Sequence, residues 1–227
     1  MKEQIYTIPI NEAFDEKTFC PLCQIQKRLE KEAVEYELGP AMMEPDHRVL
    51  SNEKGFCARH LGMMFEKSEK LPLSLVLDTH LKEVRKKLER LDTGKKKLFK
   101  GSDDKNEISS VLNSCVICEK LEKTMDRYAR VLIDMWKDER EFTEKFENSK
   151  GFCLKHFEGL YSLSNSAEFK KALSEKELKE LSSLQEDIHR FTLKFDYRNR
   201  DMEWGSAKDA PKRTVEALVG YINNENN

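Results

Sequence analysis

The chain has 227 residues, of which 38% are hydrophobic and 36% charged, against about 25% charged in an average domain. The surface is therefore heavily charged and the core lean. The formal net charge of −2 carries no strong steering field, so the total implies no general nucleic-acid-binding surface and leaves only local patches open. No run of eighteen apolar residues is present, and Met1 to Tyr6 lacks the apolar stretch of a secretory signal, so a cytoplasmic chain with no membrane segment is expected. Lys, Glu, Leu and Arg are abundant while Val, Ile and Gly are sparse, which suits helices better than sheets.

In chain order, residues 4–10 (Gln-Ile-Tyr-Thr-Ile-Pro-Ile) alternate weakly around Pro9 and read as an extended arm, at most an edge strand. Residues 21–38 carry Leu22, Ile25, Leu29 and Val34 at helical spacing and stop at Gly39-Pro40. A broken segment with Met42, Met43, Pro45 and His47 leads to Gly55-Phe56, which launches a helix through Cys57, His60, Met63 and Met64. Pro72 opens a third helix whose seam is Leu73, Leu77, Leu81, Val84, Leu88 and Leu91. Residues 93–106 have two glycines and almost no periodicity and read as a linker, with Lys95, Lys96, Lys97 and Lys100 as solvated charges.

The second half opens at 108–112 and runs a long helix from Cys115 through Leu121, Met125, Tyr128, Leu132 and Met135. A further helix is predicted over 138–148. Residues 174–197 have Leu178, Leu181, Leu184, Ile188, Phe191 and Phe195 as a seam, with Ser174 and Glu177 as a capping box. The polar and aromatic stretch Asp196, Arg198, Arg200, Glu203 and Trp204 reads as a loop and as the first place to seek a second functional surface. A last amphipathic helix is expected over 211–222.

All six cysteines fall into one scheme. Lys54-Gly55-Phe56-Cys57-Ala58-Arg59-His60 returns as Lys150-Gly151-Phe152-Cys153-Leu154-Lys155-His156, and each copy follows a C-x-x-C pair, Cys20 and Cys23 or Cys115 and Cys118. Cysteine and histidine three apart on a helix project from one face, and a C-x-x-C at a loop-to-helix junction adds two thiolates that the helix N-terminus favours. Three thiolates and one neutral imidazole fill a tetrahedral zinc shell and leave no open position. The predicted ligands are Cys20, Cys23, Cys57 and His60 for one zinc ion, and Cys115, Cys118, Cys153 and His156 for a second. Lys54, Arg59, Lys150 and Lys155 stand close enough in sequence to offset the shell's net negative charge. Gly55 and Gly151 are expected in tight or left-handed turns, with Phe56 and Phe152 packed beside the sulfurs.

An iron–sulfur cluster is the alternative, because C-x-x-C is shared with such sites. Disulfides fit poorly, since each copy holds an odd number of cysteines, and a thioredoxin-like reading lacks its βαβ setting. His47, His80 and His189 lie outside the scheme; His80 flanks an apolar seam, and His189 stands on a polar helical face where an exposed or salt-bridged histidine is expected. No phosphate loop, serine elbow, H-E-x-x-H or paired-carboxylate signature appears.

The fold expected is all-α, with two tandem helical repeats, each stapled by its own Cys3His site, plus a C-terminal helical extension. The division is 1–92 for the first repeat, 93–106 for the linker and 107–227 for the second repeat with the extension. The twin C-x-x-C…G-F-C-x-x-H pattern, followed by the loop at Asp196-Tyr197-Arg198 and a terminal helix, resembles a family of uncharacterised bacterial proteins of about this length. The resemblance implies the eight ligands and a bacterial cytoplasmic setting, and it brings no activity with it.

Three functions are open on these residues. One is a non-enzymatic, zinc-stapled module that binds a protein partner. Another is an iron–sulfur or thiol-based redox protein. The last is an enzyme with its site between the repeats. Closed shells and the missing catalytic constellation favour the first.

Overall fold

A computed structural model describes residues 4–16, 18–68, 70–92, 104–199 and 201–221. Among them there are eleven α-helices and no strand: α1 Gln4–Asp15, α2 Pro21–Glu37, α3 Pro45–Lys54, α4 Ala58–Glu66, α5 Lys70–Asp92, α6 Asp104–Asn113, α7 Val116–Asp138, α8 Arg140–Asn148, α9 Leu154–Leu163, α10 Ala167–Leu193 and α11 Ala210–Val219. The chain folds as two compact units, one made of Met1–Lys27 with Thr124–Asn227, the other of Arg28–Lys123. These units do not follow the division at 92 and 107. The second is interposed in the sequence of the first, and the chain passes between them inside α2 and again inside α7.

The first unit owes its outline to a helix that local sequence argues against. Residues 4–10 belong to α1, with Pro9 inside it, although β-branched residues and proline both disfavour helix. The compensation is tertiary. Tyr6, Ile10, Ala13 and Phe14 recur at spacings of three and four, and Ile10 and Ala13 are buried. Tyr6 meets Tyr128 edge-on at 4.9 Å, Phe14 meets Phe142 at 5.0 Å, and Lys145 pairs with Asp15 at 2.9 Å. The α1 face is thereby held on α7 and α8. The core beside it is aromatic: Trp136 packs on Phe169 at 5.2 Å and Phe146 on Phe152 at 5.8 Å, geometries that add to simple burial.

α10 also differs from expectation at its start. It begins at Ala167, seven residues before Ser174, and the Ser166 hydroxyl just ahead of it accepts the Phe169 backbone N–H at 3.2 Å as the N-cap. Ser174 is interior to the helix. The buried side of α10 is Phe169, Leu173, Glu177 and Leu184, while Leu178, expected in the seam, is 66% exposed.

The second unit packs Ala33 and Val34 of α2, Phe56, Met64 of α4, Leu73 and Val76 of α5, and Val116, Ile117 and Leu121 of α7 into one core. Of the expected linker, 104–106 fall in α6. The four lysines at 95, 96, 97 and 100 and the remainder of the linker lie outside the described residues, as do Arg200 and the end of the expected last helix.

Candidate metal centres

The repeated words G-F-C-x-x-H fold the same way in both places. Gly55 and Gly151 take φ of 68° and 93°, the left-handed region that an L side chain enters only with strain. Gly55 ends α3, its N–H bonded to the Ser51 carbonyl at 2.8 Å. The next residue, Phe56 or Phe152, turns into the core and is buried. The cysteine then stands at the N-cap of the following helix, Cys57 before α4 and Cys153 before α9, in extended backbone. Three residues on, His60 and His156 sit in the first turn.

The C-x-x-C pairs share this plan. Cys20 and Cys115 immediately precede α2 and α7, and the second thiol of each pair lies in the first turn. Four helix N-termini therefore present two donors each. Their partial positive charge favours anionic sulfur.

The structure brings all eight predicted residues into two clusters, but not in the predicted groups. Cys20 and Cys23 join Cys153 and His156, while Cys57 and His60 join Cys115 and Cys118, and within each cluster the donor atoms lie within 4.8 Å of one another. Each cluster thus takes one half-site from either copy of the motif. The reason is visible in the backbone. The Gly55 carbonyl accepts the Val116 N–H at 3.1 Å and the Lys54 carbonyl accepts the Ser114 hydroxyl at 2.6 Å, so the first G-F-C turn is bonded to the second C-x-x-C. In the other unit, α1 on α8 delivers the Cys20 loop to the second G-F-C turn.

In the cluster of the first unit, His156 Nδ1 is 3.4 Å from Cys20 Sγ, 3.4 Å from Cys23 Sγ and 3.3 Å from Cys153 Sγ, with Cys23 and Cys153 sulfurs 3.5 Å apart. In the second, His60 Nδ1 is 3.2 Å from Cys57 Sγ, 3.2 Å from Cys115 Sγ and 3.4 Å from Cys118 Sγ, with Cys57 and Cys118 sulfurs 3.7 Å apart. Bond lengths of about 2.3 Å to sulfur and 2.0–2.1 Å to nitrogen give tetrahedral edges of about 3.8 Å between sulfurs and about 3.6 Å from sulfur to nitrogen. The observed separations are those edges, slightly contracted. Chemistry and spacing both fit one four-coordinate ion in each cluster.

Electrostatics give the same answer. In the second cluster, burial and then the Cys115 charge push the Cys118 thiol up to about 12. Burial also resists ionisation at Cys115, but the His60 ring and the Cys118 backbone N–H outweigh it and bring that thiol to about 6. In the first cluster, burial and then its contact with Cys153 hold Cys20 well above its ordinary range, and hydrogen bonding to Cys153 pushes Cys23 up to about 12. The surroundings thus ionise Cys115 readily while holding back Cys118 in the second cluster and Cys20 and Cys23 in the first. A divalent cation would supply the missing positive charge, and the protons would leave as it bound.

Sequence reasoning missed the carboxylates behind the ligands. Glu30, buried in α2, accepts from His60 Nε2 at 2.9 Å with one oxygen and from Arg59 at 2.6 Å with the other. With an ion bound, this contact would keep the proton on Nε2 and leave the Nδ1 lone pair for the metal. Glu177, buried in α10, accepts the Phe152 N–H at 2.9 Å and so holds the turn that delivers Cys153. A weak signal for Glu30 existed in its place on the apolar side of α2, four residues before Val34. Lys54, expected near sulfur, pairs with Glu119, and Lys150 and Lys155 are exposed.

The other candidates are held elsewhere. His47 Nε2 meets Glu37 at 2.7 Å, and His80 Nδ1 meets the Asn52 carbonyl at 3.0 Å. Arg198 closes on Asp196 at 2.7 Å, and Trp204 packs on Phe191 at 5.3 Å.

An all-helical protein with two Cys3His clusters, each built from two helix N-termini, is the class that fold and site define. The chain belongs to the family described as "Family of unknown function (DUF6062)", which it matches over residues 1–225. No curated protein and no solved structure matches it. Among the described residues no helix is long and apolar enough to cross a membrane.

Proposed function

We propose that the chain is a zinc-stapled helical module whose two ions hold the fold, and that its role is to bind a protein partner in a reducing compartment such as the cytoplasm. The observation that carries this reading is the convergence of three sulfurs and one Nδ1 at tetrahedral-edge distances in each cluster. Four protein donors fill the zinc shell, which leaves no position for substrate and marks both sites as structural. The tight spacing supports a single ion over an iron–sulfur cluster, whose ligands sit on different irons and stand farther apart. Exposed apolar side chains at Val215, Leu218 and Val219 on one side of α11 support a protein partner over nucleic acid.

Elemental analysis of protein purified without chelator, read together with its visible spectrum, tests the proposal. Two zinc ions per chain and a colourless solution are expected. Iron with visible absorption would move the reading to electron transfer, and six cysteines in disulfides would end it.

A further inference from the structure

The two clusters share a donor set but differ in their cover. All four residues of the first are buried. Part of that cover is the C-terminal end of α11: a Cβ placed on Gly220 would lie 3.5 Å from Cys23 Sγ and 3.6 Å from Cys153 Sγ, so the backbone there rests directly on the sulfurs. The Tyr221 backbone amide also hydrogen-bonds Cys23. In the second cluster Cys115 and His60 are buried, but Cys57 is only half-buried and Cys118 is exposed. The sulfurs of these two less covered residues stand 3.7 Å apart.

Resting on the zinc reading above, we propose that the second cluster is an oxidation-sensitive metal site, in which hydroperoxides convert Cys57 and Cys118 to a disulfide and release one ion while the first cluster stays loaded. Thiolate character and exposure together select the cysteine that reacts, and Cys118 has both when it ligates a cation. Its sulfur attacks the terminal peroxide oxygen, an S–O bond forms, the O–O bond breaks, and the leaving alkoxide, or hydroxide from hydrogen peroxide, takes a proton to become an alcohol or water. The Cys57 thiolate then attacks the Cys118 sulfur, the S–S bond forms, and the S–O bond breaks with loss of hydroxide, which is also protonated. Two thiolates have lost two electrons and the peroxide has gained them. Closing from 3.7 Å to the disulfide length of about 2.05 Å asks for a small side-chain movement. Cys115, buried in the core and accepting the Cys118 N–H at 3.5 Å, is the less mobile neighbour. With two of its four donors in the disulfide, the shell cannot hold its ion.

The test uses the full chain with its metal. Zinc content is first measured, then hydrogen peroxide is added in steps while released zinc is read with a chromogenic chelator, and thiols and disulfides are mapped by peptide mass spectrometry. One ion released per chain, a Cys57–Cys118 disulfide, and reversal by thiol reductant with added zinc are expected. Cys118→Ser should hold one ion from the outset, and that ion should resist the same peroxide. Release of both ions together, release from the first cluster, or a Cys115–Cys118 disulfide would overturn the inference while leaving the zinc reading intact. Should the variant fail to fold, the mapping on the unaltered chain still decides. Absence of two bound ions before peroxide is added would instead overturn the zinc reading, and this inference with it.

Discussion

His60 Nε2 stands 2.9 Å from Glu30 Oε1, and the other oxygen of that carboxylate holds Arg59 at 2.6 Å. A ligand histidine anchored in this way presents its second nitrogen in one tautomer and one orientation. Glu30→Ala is expected to weaken metal binding at the second cluster by about 10–100-fold, the usual cost of losing such a partner. The first cluster should keep its affinity. A competitive chelator titration that resolves the two ions checks both halves of the statement, and an unchanged second site would remove Glu30 from the design.

The crosswise grouping makes a stoichiometric prediction that a within-repeat grouping reverses. Cys20→Ser combined with Cys153→Ser should lose one ion and keep one, because both residues serve the same cluster. Cys20→Ser combined with Cys57→Ser should lose both. Zinc counting on the two double variants decides the matter without a further structure.

Gly55 is constrained twice, by its φ of 68° and by the His80 ring, which a Cβ would meet at 2.6 Å. Gly55→Ala should destabilise the second unit by at least about 1–2 kcal/mol from backbone strain alone, before any displacement of His80. Urea denaturation followed by far-ultraviolet circular dichroism measures it. A variant as stable as the parent would mean that this turn is free to take another conformation.

Glu177 gives a pH signature. Burial, opposed by the Phe152 N–H, pushes its carboxyl up to about 7. The folded value thus lies above the value of about 4.3 in an unfolded chain. A carboxyl raised in this way adds stability that is fully present below the unfolded value and is lost as pH rises through about 7. Between about pH 4.3 and 7 the parent should lose stability relative to Glu177→Gln, in which the titration is absent, and above about 7 the two should run parallel. Equilibrium unfolding of both proteins in matched buffers reads the difference in slope, and parallel curves between those two values would contradict it.

The eight donors were legible in the sequence because Cys20/Cys23, Cys57/His60, Cys115/Cys118 and Cys153/His156 all use one local device, a helix cap followed by its first turn. The partner of each half-site was not. Both C-x-x-C pairs look alike to both G-F-C-x-x-H turns, and the choice is made by contacts remote in sequence, such as Gly55 with Val116 and Phe14 with Phe142. The same remoteness hid α1. Ile5, Thr7 and Pro9 disfavour a helix locally, and only the packing of Tyr6, Ile10 and Phe14 outweighs that preference. Glu30 showed only its place on the apolar side of α2, and Glu177 read as the capping partner of Ser174; burial by the fold gave both their place behind the ligands.

The interposed order of the units has a consequence for a growing chain. Cys23 and Cys153 are 130 positions apart, so at synthesis rates of about 5–20 residues per second the first thiols wait on the order of 10 s for their partners. The inner cluster spans a shorter loop, with 55 positions between His60 and Cys115, and its closure costs less chain entropy. The inner unit can therefore be complete on the ribosome while Cys20 and Cys23 still stand unpaired, a nascent stage exposed to mismatched thiols or a borrowed ion.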